Sequence, residues 1–396
     1  MRKVCVVLTA RTSYAKIRPV LYAINSHPDL EMQLICAGSA LLTRYGEMED
    51  LITKDGFKID ERIYMIVEGE NLLTSAKTTG LGLIEFASAY DRLKPDIVFI
   101  MADRYEQMAA AIPAAYMNIP IAHAQGGEVT GNIDEKVRHA ITKLADIHFP
   151  ATECARDFIL RMGEQPEKVI LSGCPSTDLC QKIIDSPEID FKIYARYGGV
   201  GAHPVLDEDF LIVMQHPVTT EYGDALEQSM VTLKTVHELG IPTLWFWPNI
   251  DAGSDATSKA IRSYRENYSP ENIHFFRNMA VEDFLRLLNK ASVIIGNSSC
   301  AIREASYLGV PAVNIGSRQS DREHAENVIH SDYDQKQIKA AIERHLSQPR
   351  PQSSKLYGHG NAGEVIAQTL SECALSFHKK LSYLDSEQHT EKQSVA

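Results

Sequence analysis

Positive charge is scarce in this chain: 40 Lys and Arg stand against 52 Asp and Glu, a formal net charge of −12. Such a field repels a nucleic-acid backbone or an anionic membrane, so a phosphate-bearing ligand needs a local cationic pocket. Cysteine is sparse as well. Cys5, Cys36, Cys154, Cys174, Cys180, Cys300 and Cys373 are odd in number and form no C-x-x-C pair, which argues against a disulfide framework and a structural zinc site. No apolar run approaches the roughly 20 residues that span a bilayer. The first apolar run is followed by Arg11 and Lys16 without a small-residue cleavage pattern, so it reads as a strand rather than a signal peptide. A cytoplasmic protein with no nucleic-acid or membrane partner is expected. The chain also lacks G-x-G-x-x-G, Walker A, G-x-S-x-G and H-E-x-x-H patterns. Those absences disfavour a nicotinamide enzyme, a P-loop, a serine-hydrolase elbow and a metal site.

What is present is a soluble, globular composition, 44% hydrophobic and 23% charged over 396 residues. At roughly 150 residues per domain that length favours two large domains or three small ones. Apolar runs at Lys3 to Thr9, Met32 to Ala37, Ile97 to Met101, Ile119 to Ala122 and Val169 to Leu171 alternate with helical patterns. A second series covers Phe210 to Met214, Thr243 to Trp247, Ile273 to Phe275, Val293 to Ile295 and Ala312 to Ile315. Continuous runs of this kind indicate parallel strands covered on both faces. The fold class expected is α/β, with two doubly wound Rossmann-like domains facing a cleft. Breakers including Pro187, Gly198, Gly199, Gly201 and Pro204 place a linker over 186–209, between domains at 1–185 and 210–361. A long helix over 362–385, packing back across the domains, and a disordered tail over 386–396 complete the expected organisation.

Chemistry-bearing residues collect where these strands end, the place where open α/β sheets bind ligands. Arg11 and Lys16 follow the first strand, where a helix N-terminus attracts anions; read blandly, they are solvated basic residues in a βα turn. Asp103 and Arg104 follow the Ile97 strand, with Asp103 as a helix cap the bland alternative. One strand later comes His123-Ala124-Gln125-Gly126-Gly127-Glu128-Val129-Thr130-Gly131-Asn132-Ile133-Asp134. Its glycines let backbone approach a ligand closely, and Arg138 and His139 lie on the helix after it. In the second half, His216, fixed by Pro217, is a candidate acid or base, and Asn249 and Asp251 repeat the strand-end pattern. Gly296-Asn297-Ser298-Ser299 leads into a helix carrying Glu304, so Ser298 and Ser299 form a phosphate cradle and Glu304 is placed for ribose hydroxyls. Arg318 and Arg322, after the next strand, can face the same phosphates. A metal-independent nucleotide-sugar site is the simplest physical reading.

Taken in order, Arg-x-x-Tyr-x-Lys, Asp103-Arg104, Gly-Gly-Glu-Val-Thr-Gly-x-Ile-Asp at 126–134, Arg-His-Ala-Ile-Thr-Lys-Leu at 138–144, Gln-His-Pro-Val-Thr-Thr at 215–220, Pro-Asn-Ile-Asp-Ala-Gly at 248–253 and Gly-Asn-Ser-Ser-Cys at 296–300 resemble the hydrolysing UDP-N-acetylglucosamine 2-epimerases of sialic acid biosynthesis. The resemblance extends to about residue 370. It implies a GT-B-like architecture, no cofactor, and a homo-oligomer, dimeric or tetrameric. The implied chemistry is loss of the C2 proton with departure of UDP, then hydration of a 2-acetamidoglucal to N-acetylmannosamine. By the same resemblance Arg11, His216, Ser298, Ser299, Glu304 and Arg318 bind the nucleotide diphosphate, and Asp103, Arg104 and Asp134 belong to the reacting end.

Two positions depart from the family pattern. Gln125 stands where many members have glutamate, and an amide cannot exchange a proton usefully. Either Asp103, Asp134 or Glu128 does that step, or the substrate differs, a 2,4-diacetamido-6-deoxy sugar nucleotide of legionaminic acid pathways being the rival. Ala15 stands where a serine is common, a loss of at most one hydrogen bond, roughly 0.5–1.5 kcal/mol. A GT-B glycosyltransferase and a nucleotide-sugar sensor are the alternatives from other classes.

Overall fold

Side-chain alternation within the first strand distributes the core of the first half. β1 (Arg2–Leu8) is flanked by β2 (Leu30–Ala37) and β4 (Ile97–Met101), both parallel to it. Val4, Val6 and Leu8 enter one apolar cluster with Tyr14, Ile17 and Leu21 of α1 (Arg11–Ser26), while Cys5 and Val7 enter another with Phe86 of α3 (Leu72–Leu93) and Ala110 of α4 (Tyr105–Tyr116). Period-two alternation with both faces apolar leaves such a strand no exposed side. β3 (Glu61–Ile63), β5 (Ile121–Ala124) and β6 (Ile147–Phe149) complete a parallel sheet in the order β3-β2-β1-β4-β5-β6.

The structure is a computed structural model and describes residues 1–42, 48–69, 72–102, 104–129, 133–218, 221–248 and 254–382, without the side chains of 11, 12, 72, 133, 134 and 222. The chain divides into two units, the first from Met1–Val129, Ile133–Pro175 and the chain from Asn361 on, the second from Ser176–Gly360.

The second unit repeats the plan. Its strands β7 (Val200–Gly201), β8 (Leu211–Met214), β9 (Thr243–Phe246), β10 (Ile273–Phe276), β11 (Val293–Gly296), β12 (Ala312–Ile315) and β13 (Val328–Ser331) are ordered β13-β12-β11-β8-β9-β10-β7. All pairings are parallel except β7 on β10. Apart from the short edge strand β7, the parallel strands of both sheets therefore start at a central strand, wind outward to one side and then return to the other. Strand order reverses between β1 and β4 in one and between β8 and β11 in the other, the Rossmann-like arrangement that opens a ligand crevice at the reversal.

Several expected boundaries move. The 186–209 linker instead carries α8 (Ile193–Tyr197) and β7, because backbone pairing of Val200 and Gly201 with β10 uses its polar groups in the sheet. α7 (Ser176–Asp185) groups with the second unit, so the first break falls at 175 rather than 185. Val169 makes only an isolated bridge to His148 rather than a strand. The last helix, α14 (Ala362–Glu372), stops well short of 385 and belongs to the first unit, lying on α1 with Gly363 tight against the Pro19 carbonyl. Beyond it the chain is held by other partners: Lys168 Nζ donates to the Ala374 carbonyl at 3.0 Å and the Ser382 N–H to the Gly163 carbonyl at 2.8 Å. The 386–396 tail lies outside the described residues. No described helix is long and apolar enough to cross a membrane, and no disulfide is formed among the described residues.

Candidate active site

In the second unit the reversal of strand order is bridged by one side chain. Gly296 ends β11 at φ 127° with its α-carbon so close to β8 that a Cβ would stand 2.2 Å from the Met214 carbonyl oxygen, a place only glycine fits. Asn297 follows, fully buried. Its Oδ1 accepts the His216 N–H at 2.7 Å and its Nδ2 donates to the His216 carbonyl at 2.8 Å, so an amide side chain continues the ladder after the strands part. The main chain of His216 is thereby fixed. Arg318, on the 3-10 turn Ser317–Gln319, donates from Nη1 to the Asn297 carbonyl at 3.1 Å, and the Ser317 hydroxyl donates to Glu221, which also accepts from Gln228 at 2.9 Å. The loops after β8, β11 and β12 are thus tied together within one unit.

Ser298, Ser299 and Glu304 sit in this cluster's β11 loop, but not in the form expected. The loop enters a 3-10 turn at Ser299–Ala301, and α12 (Glu304–Leu308) has only five residues. The N–H groups of Ala301, Ile302 and Arg303 are taken by the Ser298 and Ser299 carbonyls, and the Ser298 hydroxyl accepts from the Cys300 N–H at 3.4 Å. A long helix dipole is therefore not what the loop offers an anion. Glu304 is 6% exposed, and its Oε2 has no hydrogen-bond partner. A buried carboxylate oxygen left this way is costly unless something fills it. Arg322 is also buried. Two neighbours escaped the sequence reading. Glu221 is one; Tyr333 is the other, its ring lying where a Gly316 Cβ would be, 2.4 Å away, and its hydroxyl pushed up to about 12 by burial. The only sequence signal for Tyr333 was a glycine after β12, at φ 73°. Asn249 and Asp251 lie outside the described residues.

In the first unit two adjacent strands leave the sheet through left-handed residues that are not glycine: Ala102 after β4 at φ 70° and Gln125 after β5 at φ 64°. Residues with a Cβ are held there only by surrounding structure, and such strain gathers at functional sites. The Ala102 N–H donates to the Ala124 carbonyl at 3.0 Å and the Gln125 N–H to the Phe149 carbonyl at 2.9 Å. Asp103 lies outside the described residues. Arg104, next to it, forks onto both oxygens of the buried Glu106 at 3.1 Å each. Gln125 turns its amide inward, Nε2 lying 3.1 Å from Cys174 Sγ.

Gly126 and Gly127 correct an expectation. A Cβ on Gly127 would stand 2.1 Å from the Ala155 carbonyl oxygen, and one on Gly126 2.8 Å from Thr142 Oγ1 and 3.1 Å from His123 Nδ1. The space these glycines leave is filled by the protein's own interior rather than kept for a ligand. Arg138 of α5 (Ile133–Leu144), 1% exposed, donates to the Glu128 carbonyl and clamps the loop; the Glu128 side chain is buried. Asp134 is in the first turn of α5 and Arg11 at the start of α1, but both side chains lie outside the described residues. Lys16 is half-buried on α1. Ala10 gives α1 no side-chain cap, and the buried Thr9 hydroxyl before it has no hydrogen-bond partner.

Both reversals thus carry charged and buried polar groups at strand ends, the features of a ligand site in a doubly wound sheet. The profile of the UDP-N-acetylglucosamine 2-epimerase family matches residues 22–371. A Legionella pneumophila protein named as a hydrolyzing UDP-N,N'-diacetylbacillosamine 2-epimerase is 31% identical over 95% of this chain and 97% of its own. A Neisseria meningitidis UDP-N-acetylglucosamine 2-epimerase is 30% identical over 91% of this chain and 92% of its own. The chain belongs to the UDP-N-acetylglucosamine 2-epimerase family. Its fold is shared with the crystal structure of the UDP-GlcNAc 2-epimerase from Neisseria meningitidis bound to UDP-GlcNAc, with a TM-score of 0.79, 18% identity and coverage of 93% of this chain and 99% of that one. The UDP-GlcNAc 2-epimerase of Methanocaldococcus jannaschii, solved with UDP-GlcNAc and UDP, gives a TM-score of 0.77 at 19% identity with the same coverages.

Proposed function

We propose that this protein is a hydrolysing nucleotide-sugar 2-epimerase that converts UDP-N-acetylglucosamine to N-acetylmannosamine and UDP. The observation that carries this reading is the Asn297-centred cluster, in which Arg318 is fixed at the reversal of a sheet together with Glu304, a buried carboxylate with an unfilled oxygen. A guanidinium and hydroxyls suit a diphosphate, and the carboxylate suits ribose hydroxyls. Names carried by relatives about 30% identical support the hydrolysing branch. Ser298, Ser299, Arg318 and Arg322 hold the diphosphate, with Arg11, Lys16 and His216 contributing, and Asn249 and Asp251 belong to the binding residues. No metal or redox cofactor is required.

A base drawn from Asp103, Asp134 and Glu128 takes the C2 proton as the C1–O bond breaks and its electron pair leaves with UDP. The C2 proton is weakly acidic, so departure of the diphosphate runs far ahead of its loss. Contacts to the phosphates that strengthen in the transition state then supply much of the acceleration. Water adds to the resulting glucal, its oxygen going to C1 and a proton to C2 on the opposite face. The enzyme acts in the cytoplasm as a homo-oligomer, a dimer or tetramer.

A second reading keeps the reaction and changes the sugar to UDP-2,4-diacetamido-2,4,6-trideoxyglucose. It is favoured by Gln125, whose amide is spent on Cys174, and by the name of the Legionella relative. Incubating the protein with each UDP sugar in deuterated water tests both. Free UDP and the 2-epimeric free sugar, with deuterium at C2, are expected from one of the two substrates, and Asp103→Asn or Asp134→Asn is expected to lower kcat on the order of 10² to 10⁴-fold. Return of an epimerised UDP sugar, or retention of hydrogen at C2, rejects the hydrolysing reading.

A further inference from the structure

The imidazole of His123 is completely buried on β5, between the exit of the neighbouring strand and α5. Its Nε2 lies 2.9 Å from the Ala102 carbonyl oxygen. A carbonyl only accepts, so Nε2 carries the proton and donates it. Ala102 is one of the two left-handed residues at the strand ends, with φ 70°, a conformation that its own side chain resists and that an external bond must hold. The residue that follows it in the chain is Asp103. On the other side of the ring, Nδ1 lies 3.2 Å from Thr142 Oγ1 of α5; with the ring proton on Nε2, Nδ1 is an acceptor for the hydroxyl proton, for which the Arg138 carbonyl at 2.9 Å competes. α5 begins beside Asp134 and carries the Arg138 clamp on the Glu128 carbonyl. Gly126 leaves the room in which imidazole and hydroxyl meet. One buried ring therefore touches the main chain that leads into Asp103 and, through one hydroxyl, the helix that carries Asp134.

We propose that His123 is a positioning residue for the epimerisation: by donating from Nε2 to the Ala102 carbonyl it fixes the end of β4, from which the chain continues into Asp103, against α5. The proposal rests on the function above, because it assigns Asp103 to the chemistry. It predicts a loss in kcat with little change in binding, since the residue it positions is assigned to proton transfer and not to holding the nucleotide.

The two ring nitrogens allow a discriminating test in the full-length enzyme. A glutamine amide nitrogen reaches the place of Nε2, whereas an asparagine amide nitrogen reaches only that of Nδ1. His123→Ala is expected to lower kcat about 10- to 100-fold while KM and the Kd for UDP stay within about two-fold. His123→Gln is expected to restore kcat to within a few-fold of the native value, and His123→Asn is not. If the alanine variant fails to fold, the glutamine and asparagine pair still decides. Nitrogen-15 NMR of histidine-labelled protein is expected to show His123 as the Nε2–H tautomer without substrate. Equal activity of the Gln and Asn variants, a loss of UDP affinity matching that of kcat, or the Nδ1–H tautomer overturns the proposal. Absence of turnover by the unmodified enzyme overturns the function and this role with it; turnover with equal Gln and Asn variants overturns the role alone.

Discussion

Asn297 takes over where β8 and β11 stop pairing, and the guanidinium of Arg318 is set by the carbonyl of that same residue. Arg318 therefore reaches its site with little freedom left to lose, which makes its contact with a phosphate more valuable than that of a mobile surface arginine. Arg318→Ala is expected to weaken binding of free UDP by about 1.5–3 kcal/mol, roughly 10- to 150-fold in Kd by calorimetry. Unchanged affinity would place Arg318 outside the nucleotide site. Much of this cluster was legible, since a buried strand followed by Gly296-Asn297-Ser298-Ser299 announces a strand-end site. The direction of each side chain was not. A sequence does not distinguish an asparagine that meets a ligand from one that replaces a strand's hydrogen bonds. Nor does it separate a glycine that admits a phosphate from Gly127, which admits the carbonyl of Ala155.

At the scale of elements, legibility followed apolar content. The strands β1, β2, β4, β8, β9, β10, β11 and β12 are mostly apolar, with single polar residues such as Gln33, His274 and Asn314 inside them, and stand within two residues of where the pattern put them. The edge strands β3 and β13 carry Glu61, Arg62, His330 and Ser331 and gave no such run. The C-terminal segment misled for a different reason: its periodicity continues past Glu372, but Lys379 is drawn away from a helix by a buried carboxylate. Glu164, in the loop after α6 (Glu153–Arg161), accepts from Lys379 and Lys143 at 2.6 Å each and from His148 at 3.0 Å. Burial alone would raise its pKa, yet the hydrogen bonds from His148, Lys143 and Lys379 bring it down to about 2. Burial holds His148 below its ordinary value, so it stays neutral at neutral pH. Both signs make acid destabilising. The His148 contribution is present above about 6.5 and falls as pH drops below that value; the Glu164 contribution is present above about 4.5 and is lost as pH falls toward 2. Lys379→Ala is expected to cost about 1.5–3 kcal/mol at pH 7 in denaturant unfolding and to speed amide exchange over 373–382. A native unfolding curve with unchanged exchange would mean that Lys379 does not hold this segment.

Across the whole molecule the same winding appears twice, and a chain with two series of strands made that duplication readable from sequence alone. Which stretch belongs to which unit was harder to read, because the path is not two consecutive blocks. After leaving the second unit at Gly360 the chain returns to the first, where Ile366, Ala367 and Leu370 of α14 enter the cluster of Val4, Val6 and Leu8 and Arg2 donates to the Leu370 carbonyl. Burying side chains such as Ile366 and Leu370 contributes roughly 1.5–3 kcal/mol each. The two together contribute about 3–6 kcal/mol, a large share of the roughly 5–15 kcal/mol that holds an ordinary domain folded. Among the described residues the second unit is continuous in sequence: Ser176–Gly360 holds all seven strands of its sheet together with Asn297, Glu304 and Arg318. A fragment of residues 176–360 is therefore expected to melt cooperatively and to bind UDP in calorimetry. A fragment of residues 1–175 is expected to lack a cooperative transition until residues 361–382 are fused to it through a flexible linker. If 176–360 fails to fold, the second unit depends on the first for its stability; if it folds without binding UDP, the nucleotide residues assigned to this unit are insufficient and the assignment of the diphosphate to the Asn297 cluster has to be revised.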